Sequence, residues 1–386
     1  MAQEHDKFTD KYFLRTKEIL EKDGLNPYVR AQVFIRKGPG VVAGMNEALQ
    51  FIDENSDLVK NGGKVYALRD GEEYSSKETQ MIIEGNIQDF VTLETCYLGI
   101  LSSGVTKLND NVDIDLDDVT ARTRAIVNRV GDRPVLYFGA RHWHYNKDAD
   151  IAKAAFEGGA VAASTDVGAA TFEGVGVGTI PHVLENVYAA KFGKDRAVVE
   201  ATKAFDKYID RQVPRVALID YNNKEIDDAL ACCEEVSSLS GVRVDTCGEN
   251  VMQGAYDVEP ENFKEVFGRN VVIPESDKKF WFGNGVSISG VYALKKALND
   301  NGYDNVDVVL TSGFGKVEKV DAFRRAEKLL EMKLFDGIGA GTFFHSRAAT
   351  MDVVGVYDKG NWEAMSKVGR EFSSNVRLEL RLTKCR

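Results

Sequence analysis

The chain has 386 residues, 49 Lys and Arg against 60 Asp and Glu, and 44% hydrophobic side chains. That is too apolar for a disordered chain, and no apolar run approaches the ~18 residues of a membrane helix. A net charge of −11 argues against a nucleic-acid or anionic-membrane surface as the main partner, while leaving room for one small basic pocket.

The opening MAQEHDKFTD lacks the basic-then-apolar layout of a signal peptide. Cys96, Cys232, Cys233, Cys247 and Cys385 form no CxxC pair. So sparse a set points to a reducing cytoplasm, with neither a disulfide frame nor a zinc site.

Lys11–Lys22 reads as a short helix, followed by strand-like runs at Tyr28–Arg36, Lys64–Arg69 and Gln80–Phe90. Met45–Ile52 and Leu93–Leu101 carry the helical period instead. The mixture predicts an N-terminal α+β domain over residues 1–117 with a small, largely antiparallel sheet. Asp110–Asp118 mimics a calcium loop but lacks the mid-loop Gly and terminal Glu. A solvated loop capping the next helix is the expectation there.

From Asp117–Arg129, a predicted helix, a rhythm sets in. VLYFGAR (135–141), GAVAAST (159–165), VGTIPH (177–182), RVALID (215–220), GVRVDT (241–246), VDVVLTSG (306–313) and FDGIGAG (335–341) read as strands. Helical patterns lie between them at Ala149–Glu157, Val183–Phe192, Lys224–Leu239, Ser287–Asn299 and Val317–Glu331. Short β-branched strands alternating with helices predict parallel βα units, and so many of them predict a barrel over residues 118–350. Gly174–Gly178 (GVGVG) precedes a strand rather than following one, so it is not a dinucleotide-binding turn. Residues 351–386 are left as a C-terminal segment packing back on the N-terminal domain.

In such barrels the chemistry sits at the C-terminal strand ends. Those ends carry Arg141, Thr165 with Asp166, His182, Asp220, Asp245, Ser312, and Gly341 with Thr342. Ser312-Gly313 and Gly339–Thr342 suit an anion cradle made of backbone N–H groups. Arg243 and Asp245 offer a cation for phosphate beside a carboxylate for ribose hydroxyls, with a structural ion pair as the bland alternative. His182 closes one strand and Asp220 the next, so a carboxylate can orient a nucleophilic or proton-carrying imidazole. Phe138 and Arg141 pair an aromatic face with a guanidinium, which suits a flat ring bearing an acidic group. His142, His144 and His345 read as packing, and Cys232-Cys233 as helix core.

FGAR, GTIPH, LID, RVDT, TSGF and GIGAGT occur in the order and spacing of the nicotinate phosphoribosyltransferases, and the chain resembles their compact archaeal-type members. TDKYFLRTKEIL and IIEGNIQDFVTLETCYLGILSSG resemble that family too, so the likeness spans most of residues 8–345. The resemblance implies the type II phosphoribosyltransferase fold: an irregular, incomplete α/β barrel with an N-terminal α+β sandwich-like domain. It implies transfer of phosphoribose from phosphoribosyl pyrophosphate to nicotinate, giving nicotinate mononucleotide and pyrophosphate for NAD biosynthesis. ATP is the co-substrate, and Mg²⁺ accompanies the pyrophosphate.

Carried over by the same resemblance, His182 is the residue ATP phosphorylates and Asp220 its partner. Phe138 stacks one face of the pyridine, and Tyr12 or Phe13 of a neighbouring subunit in a homodimer or larger assembly the other. Arg141 holds the ring carboxylate or the phosphoribose end, with Thr179 and Asp166 among the substrate contacts. Arg243 and Asp245 engage phosphoribose, while Ser312, Gly313, Gly339, Gly341 and Thr342 cradle its 5-phosphate.

The chain departs from the pattern in places. Phe314 replaces the second glycine of SGG, the segment after Asp245 is long, and Lys367-Val368-Gly369-Arg370 only echoes a late basic stretch. Asp166 keeps nicotinamide open as an alternative substrate, and Phe314 a catalytically silent nucleotide-binding homologue. Quinolinate, a dicarboxylate, calls for more convergent cations than this rim shows.

Overall fold

The computed structural model describes residues 3–384, so Cys385 lies outside the described residues. After a short 3-10 helix at Glu4–Phe8 comes helix α1 (Lys11–Asp23), which ends where Gly24 turns left-handed at φ 65°. Strands β1 (Tyr28–Ile35), β2 (Lys64–Ala67) and β3 (Thr79–Asn86) follow. Then come helices α2 (Glu94–Asp110) and α3 (Leu116–Val130). The side chain of Asp115 caps α3 by accepting from the N–H groups of Asp117 and Asp118, so the acidic loop before it is a helix cap. Val119, Thr123, Ile126 and Val130 bury one face of α3, at the spacing its sequence shows.

Next are β4 (Val135–Tyr137), β5 (Ala162–Ala163), α4 (His182–Phe192), β6 (Arg215–Leu218) and β7 (Leu239–Val244). They are followed by β8 (Asp307–Leu310), α5 (Val317–Leu330), β9 (Gly337–Ala340), β10 (Ala349–Asp358), β11 (Asn361–Ala364) and β12 (Glu379–Leu382).

Two six-stranded sheets result, in the orders β11-β10-β1-β3-β2-β12 and β5-β4-β9-β8-β7-β6. The first is antiparallel throughout; β10 returns from the end of the barrel to pair with β1. The second is parallel throughout and curls without closing, since its edge strands β5 and β6 do not pair. The molecule is therefore an incomplete α/β barrel joined to an α+β domain, each with its own apolar core. Among the described residues no helix is long and apolar enough to cross a membrane.

Residues 177–182, expected as a strand, form no ladder. Instead they span the open side of the barrel. The Val177 N–H donates to the Ala163 carbonyl of β5 (2.9 Å), and the Thr179 hydroxyl to the Val216 carbonyl of β6 (2.8 Å). Pro181 has no N–H to give a ladder, and the helix begins at the next residue. His182 is accordingly the first residue of α4 rather than the last of a strand. A helix at Ala197–Tyr208 lies in a stretch to which the sequence pattern assigned no element.

Candidate active site

A cavity of about 390 Å³ opens at the C-terminal ends of the parallel strands, with the N-terminal domain as its far wall. Phe138 and Arg141 enter it from the turn after β4, Arg243 and Asp245 from the end of β7, and Ser312 and Gly313 from the turn after β8. Gly339, Gly341 and Thr342 line it from β9 and beyond, and His182 from the start of α4. Gly339 is required for packing: a Cβ there would lie 2.4 Å from the Phe138 ring.

His182 Nε2 sits 3.0 Å from Oδ1 of Asp220, whose side chain is fully buried. Asp220 Oδ2 accepts from the Lys367 ammonium, which also donates to the Asp245 carbonyl at 3.2 Å. Burial acts against the carboxylate, but Lys367 and then His182 hold Asp220 well below the ordinary range. Burial, followed by the Lys367 charge, lowers the pKa of His182 despite Asp220. The imidazole is thus a neutral base whose Nε2–H is committed to Asp220, and Nδ1 keeps the free lone pair.

Nitrogen and carboxylate oxygens of His182, Asp220 and Asp245 lie within 4.8 Å of one another. Lys367 already supplies a positive charge there, so the cluster does not suit a resident metal ion.

Arg141 Nη1 donates to the Tyr12 hydroxyl at 2.5 Å, and that hydroxyl donates to Asp10 at 3.2 Å. Burial raises the pKa of Tyr12 well above its usual value, so the phenol is neutral. Tyr12 and Phe13 line the cavity of their own chain. Helix α1 lies against the barrel of the same chain, its Lys11 N–H on the Ser164 carbonyl at 2.8 Å.

Two other expected contacts lie outside the cavity lining. Thr179 is spent on Val216, as described above. Asp166 accepts from Lys11 Nζ at 2.6 Å and from the Gly176 N–H at 3.0 Å. The cap of its short helix is Thr165, which accepts from the Gly168 N–H. Asp220 stands behind His182 rather than on the surface of the cavity. Phe314 is fully buried, edge-on to Phe323 at 5.1 Å, and takes no part in the lining.

The structure also adds residues. Arg36 of the turn after β1, Asp352 of β10, and Lys367 and Arg370 of the C-terminal segment reach the cavity. That segment crosses the barrel mouth, its Val368 N–H on the Tyr221 carbonyl at 3.0 Å. Glu94, at the start of α2, also lines the cavity; burial raises its pKa well above normal and favours the neutral acid. Cations therefore outweigh charged carboxylates, which suits a polyanion. The expectation of few convergent cations is corrected accordingly.

His142 lines the cavity with Nδ1 on the Gly341 carbonyl at 2.6 Å, whereas His144 contacts Glu47 and His345 contacts Asp110. These histidines thus serve separate partners.

Residues 10–104 match the family model described as quinolinate phosphoribosyl transferase, N-terminal domain. No curated protein matches the chain in sequence. Among solved structures, nicotinate phosphoribosyltransferase from Porphyromonas gingivalis is 12% identical over 96% of this chain and 94% of its own, with a TM-score of 0.60. The nicotinate phosphoribosyltransferase from Vibrio cholerae gives 12%, 93% and 86%, with a TM-score of 0.60. Nicotinate-nucleotide pyrophosphorylase from Pyrococcus furiosus is 26% identical, over 97% of this chain and 81% of its own, with a TM-score of 0.43. The N-terminal domain is of the quinolinate phosphoribosyltransferase type, and the chain as a whole has the nicotinate phosphoribosyltransferase fold.

Proposed function

We propose that this chain, whose fold is that of the nicotinate phosphoribosyltransferases, transfers phosphoribose from phosphoribosyl pyrophosphate to nicotinate. The products are nicotinate mononucleotide and pyrophosphate, and ATP drives the reaction through a phosphohistidine at His182. One observation carries the reading: His182, held by buried Asp220, faces the same cavity as Phe138, Arg141 and the Ser312–Gly313 turn.

In this reading the pyridine ring lies on Phe138 with Tyr12 and Phe13 nearby, and its carboxylate meets Arg141. Asp245 takes the ribose hydroxyls; its Oδ1 is fixed by the Thr311 hydroxyl at 2.7 Å. Breaking the bond from the anomeric carbon to pyrophosphate builds positive charge on the sugar. It asks for both ends of a polyanion to be fixed more than for a strong base. Arg243, Arg36 and Arg370 supply cations for the pyrophosphate, which enters as its magnesium complex.

His182 Nδ1 attacks the γ-phosphorus of ATP: a P–N bond forms and the bond to the ADP oxygen breaks. Water then cleaves the phosphohistidine to phosphate. Its position at the start of α4 favours the added negative charge, through the helix dipole and free N–H groups.

A second reading, quinolinate as the pyridine, is favoured by the family match over residues 10–104 and by the cations Arg36 and Arg370 in the lining. The motive for nicotinamide was Asp166, which the fold turns towards Lys11. The purified chain incubated with phosphoribosyl pyrophosphate and each of nicotinate, nicotinamide and quinolinate separates the readings. Nicotinate turnover stimulated by ATP is expected. Quinolinate turnover with loss of CO₂ and indifference to ATP would replace the first reading by the second.

A further inference from the structure

Lys319 is the third residue of α5 and is buried beside the turn that ends β8. Its ammonium donates to the Ser312 carbonyl at 3.0 Å and lies 4.5 Å from the centre of the Phe314 ring. The other buried lysines have carboxylates: Lys367 is bonded to Asp220, and Lys295 lies 4.0 Å from Asp336. Among the described residues Lys319 has no carboxylate within that distance. A buried ammonium without an anion is costly, and proteins pair such charges or fill the place with a ligand.

The turn beside it is unusual in a matching way. Ser312 and Gly313 both take left-handed backbone conformations, φ 62° and 87°. A serine held there is strained, a feature that concentrates at ligand sites. Both residues line the cavity, and a Cβ on Gly313 would lie 3.6 Å from Lys319 Nζ. The missing side chain leaves the ammonium close to the cavity wall.

We propose that Lys319 is the buried counter-ion for the 5-phosphate of phosphoribosyl ligands, gripping it through the Ser312–Gly313 turn. This rests on the function proposed above and adds to it a residue that the family motifs do not mark.

The charged groups around Lys319 give the assignment a second consequence. Burial, then Lys316, pushes its pKa down to about 7, against the opposing pull of Asp245. A phosphate dianion at the turn raises that value again. At pH 8 the free protein therefore holds Lys319 mostly neutral, and binding draws in a proton.

The test is calorimetry at pH 8 with ribose 5-phosphate and with nicotinate mononucleotide, in two buffers of different ionisation enthalpy. The wild type should take up on the order of one proton per ligand bound. Lys319→Met should bind both ligands about 10- to 100-fold more weakly and show no uptake, with thermal melting confirming the fold. Lys319→Arg carries a charge that does not titrate, so it should retain binding while losing the uptake. Should Lys319→Met fail to fold, the arginine variant decides alone. Wild-type affinity in Lys319→Met, or undiminished uptake in either variant, would overturn the role of Lys319 and leave the proposed function standing. A wild type that binds neither ligand would overturn the proposed function itself.

Discussion

Lys367 and His182 share one carboxylate: Asp220 accepts from the lysine on Oδ2 and faces His182 Nε2 on Oδ1 at 3.0 Å. The lysine comes from the C-terminal segment, nearly two hundred residues beyond the histidine in sequence. Its charge keeps Asp220 ionised and adds to burial, the larger effect, in holding the imidazole neutral, so the nucleophile is tuned by the segment that crosses the barrel mouth.

Removing that cation leaves a buried carboxylate short of one partner. Lys367→Met should cost about 3–5 kcal/mol of stability. Adding Asp220→Asn should recover part of the loss, because no uncompensated charge then remains. Denaturant unfolding of the two single variants and the double checks this. Additive losses would show that the two groups are not coupled.

His182→Ala should abolish ATP hydrolysis and phosphoprotein formation while leaving slow, ATP-independent transfer. Because Nε2 is held by Asp220, the phosphate should appear on Nδ1, which phosphorus NMR of the labelled protein distinguishes from the other isomer. Undiminished ATP turnover in the variant, or phosphate on Nε2, would contradict this assignment.

Much of the site was legible because strand ends are conspicuous: a β-branched run that stops on Arg141, Asp245, Ser312 or Gly341 marks its own terminus. His182 was legible as a residue but not as a helix start, since VGTIPH has strand-like composition and only its neighbours reveal a missing ladder. Arg36 and Arg370 were not legible as site residues. They reach the cavity from the turn after β1 and from the C-terminal segment, through pairing of distant strands that no local pattern encodes. Tyr12 was singled out by resemblance; its place in the lining of this chain's own cavity was not legible, because a helix pattern does not say which surface it packs against.

Asp166→Ser should leave nicotinate use unchanged. Its carboxylate is bound to Lys11 and to the Gly176 N–H, away from the cavity. The partly exposed ion pair is worth at most about 1 kcal/mol, so melting should change little. A shift in preference between nicotinate and nicotinamide would place Asp166 at the ring after all.

Asp148 gives a pH test of the barrel core. It is buried, accepting from the Tyr137 hydroxyl at 3.0 Å and from the Thr165 hydroxyl, and burial lifts its pKa to about 7. With the folded value above the unfolded one near ~3.9, stability from this group is complete at low pH and is lost as pH rises towards 7. Relative to Asp148→Asn, the wild type should lose up to ~1.4 kcal/mol per pH unit across that window. Urea unfolding of both proteins from pH 4.5 to 8 measures the difference, and a flat difference would refute a protonated Asp148.

The coupling of ATP to phosphoribosyl transfer is tested most directly by the position of equilibrium. Nicotinate and phosphoribosyl pyrophosphate are left with the enzyme until the ratio of nicotinate mononucleotide to nicotinate stops changing, with and without ATP. A phosphohistidine cycle predicts a higher final ratio with ATP, and loss of that rise in His182→Ala. The same final ratio with and without ATP, or no nicotinate mononucleotide in either, would contradict it.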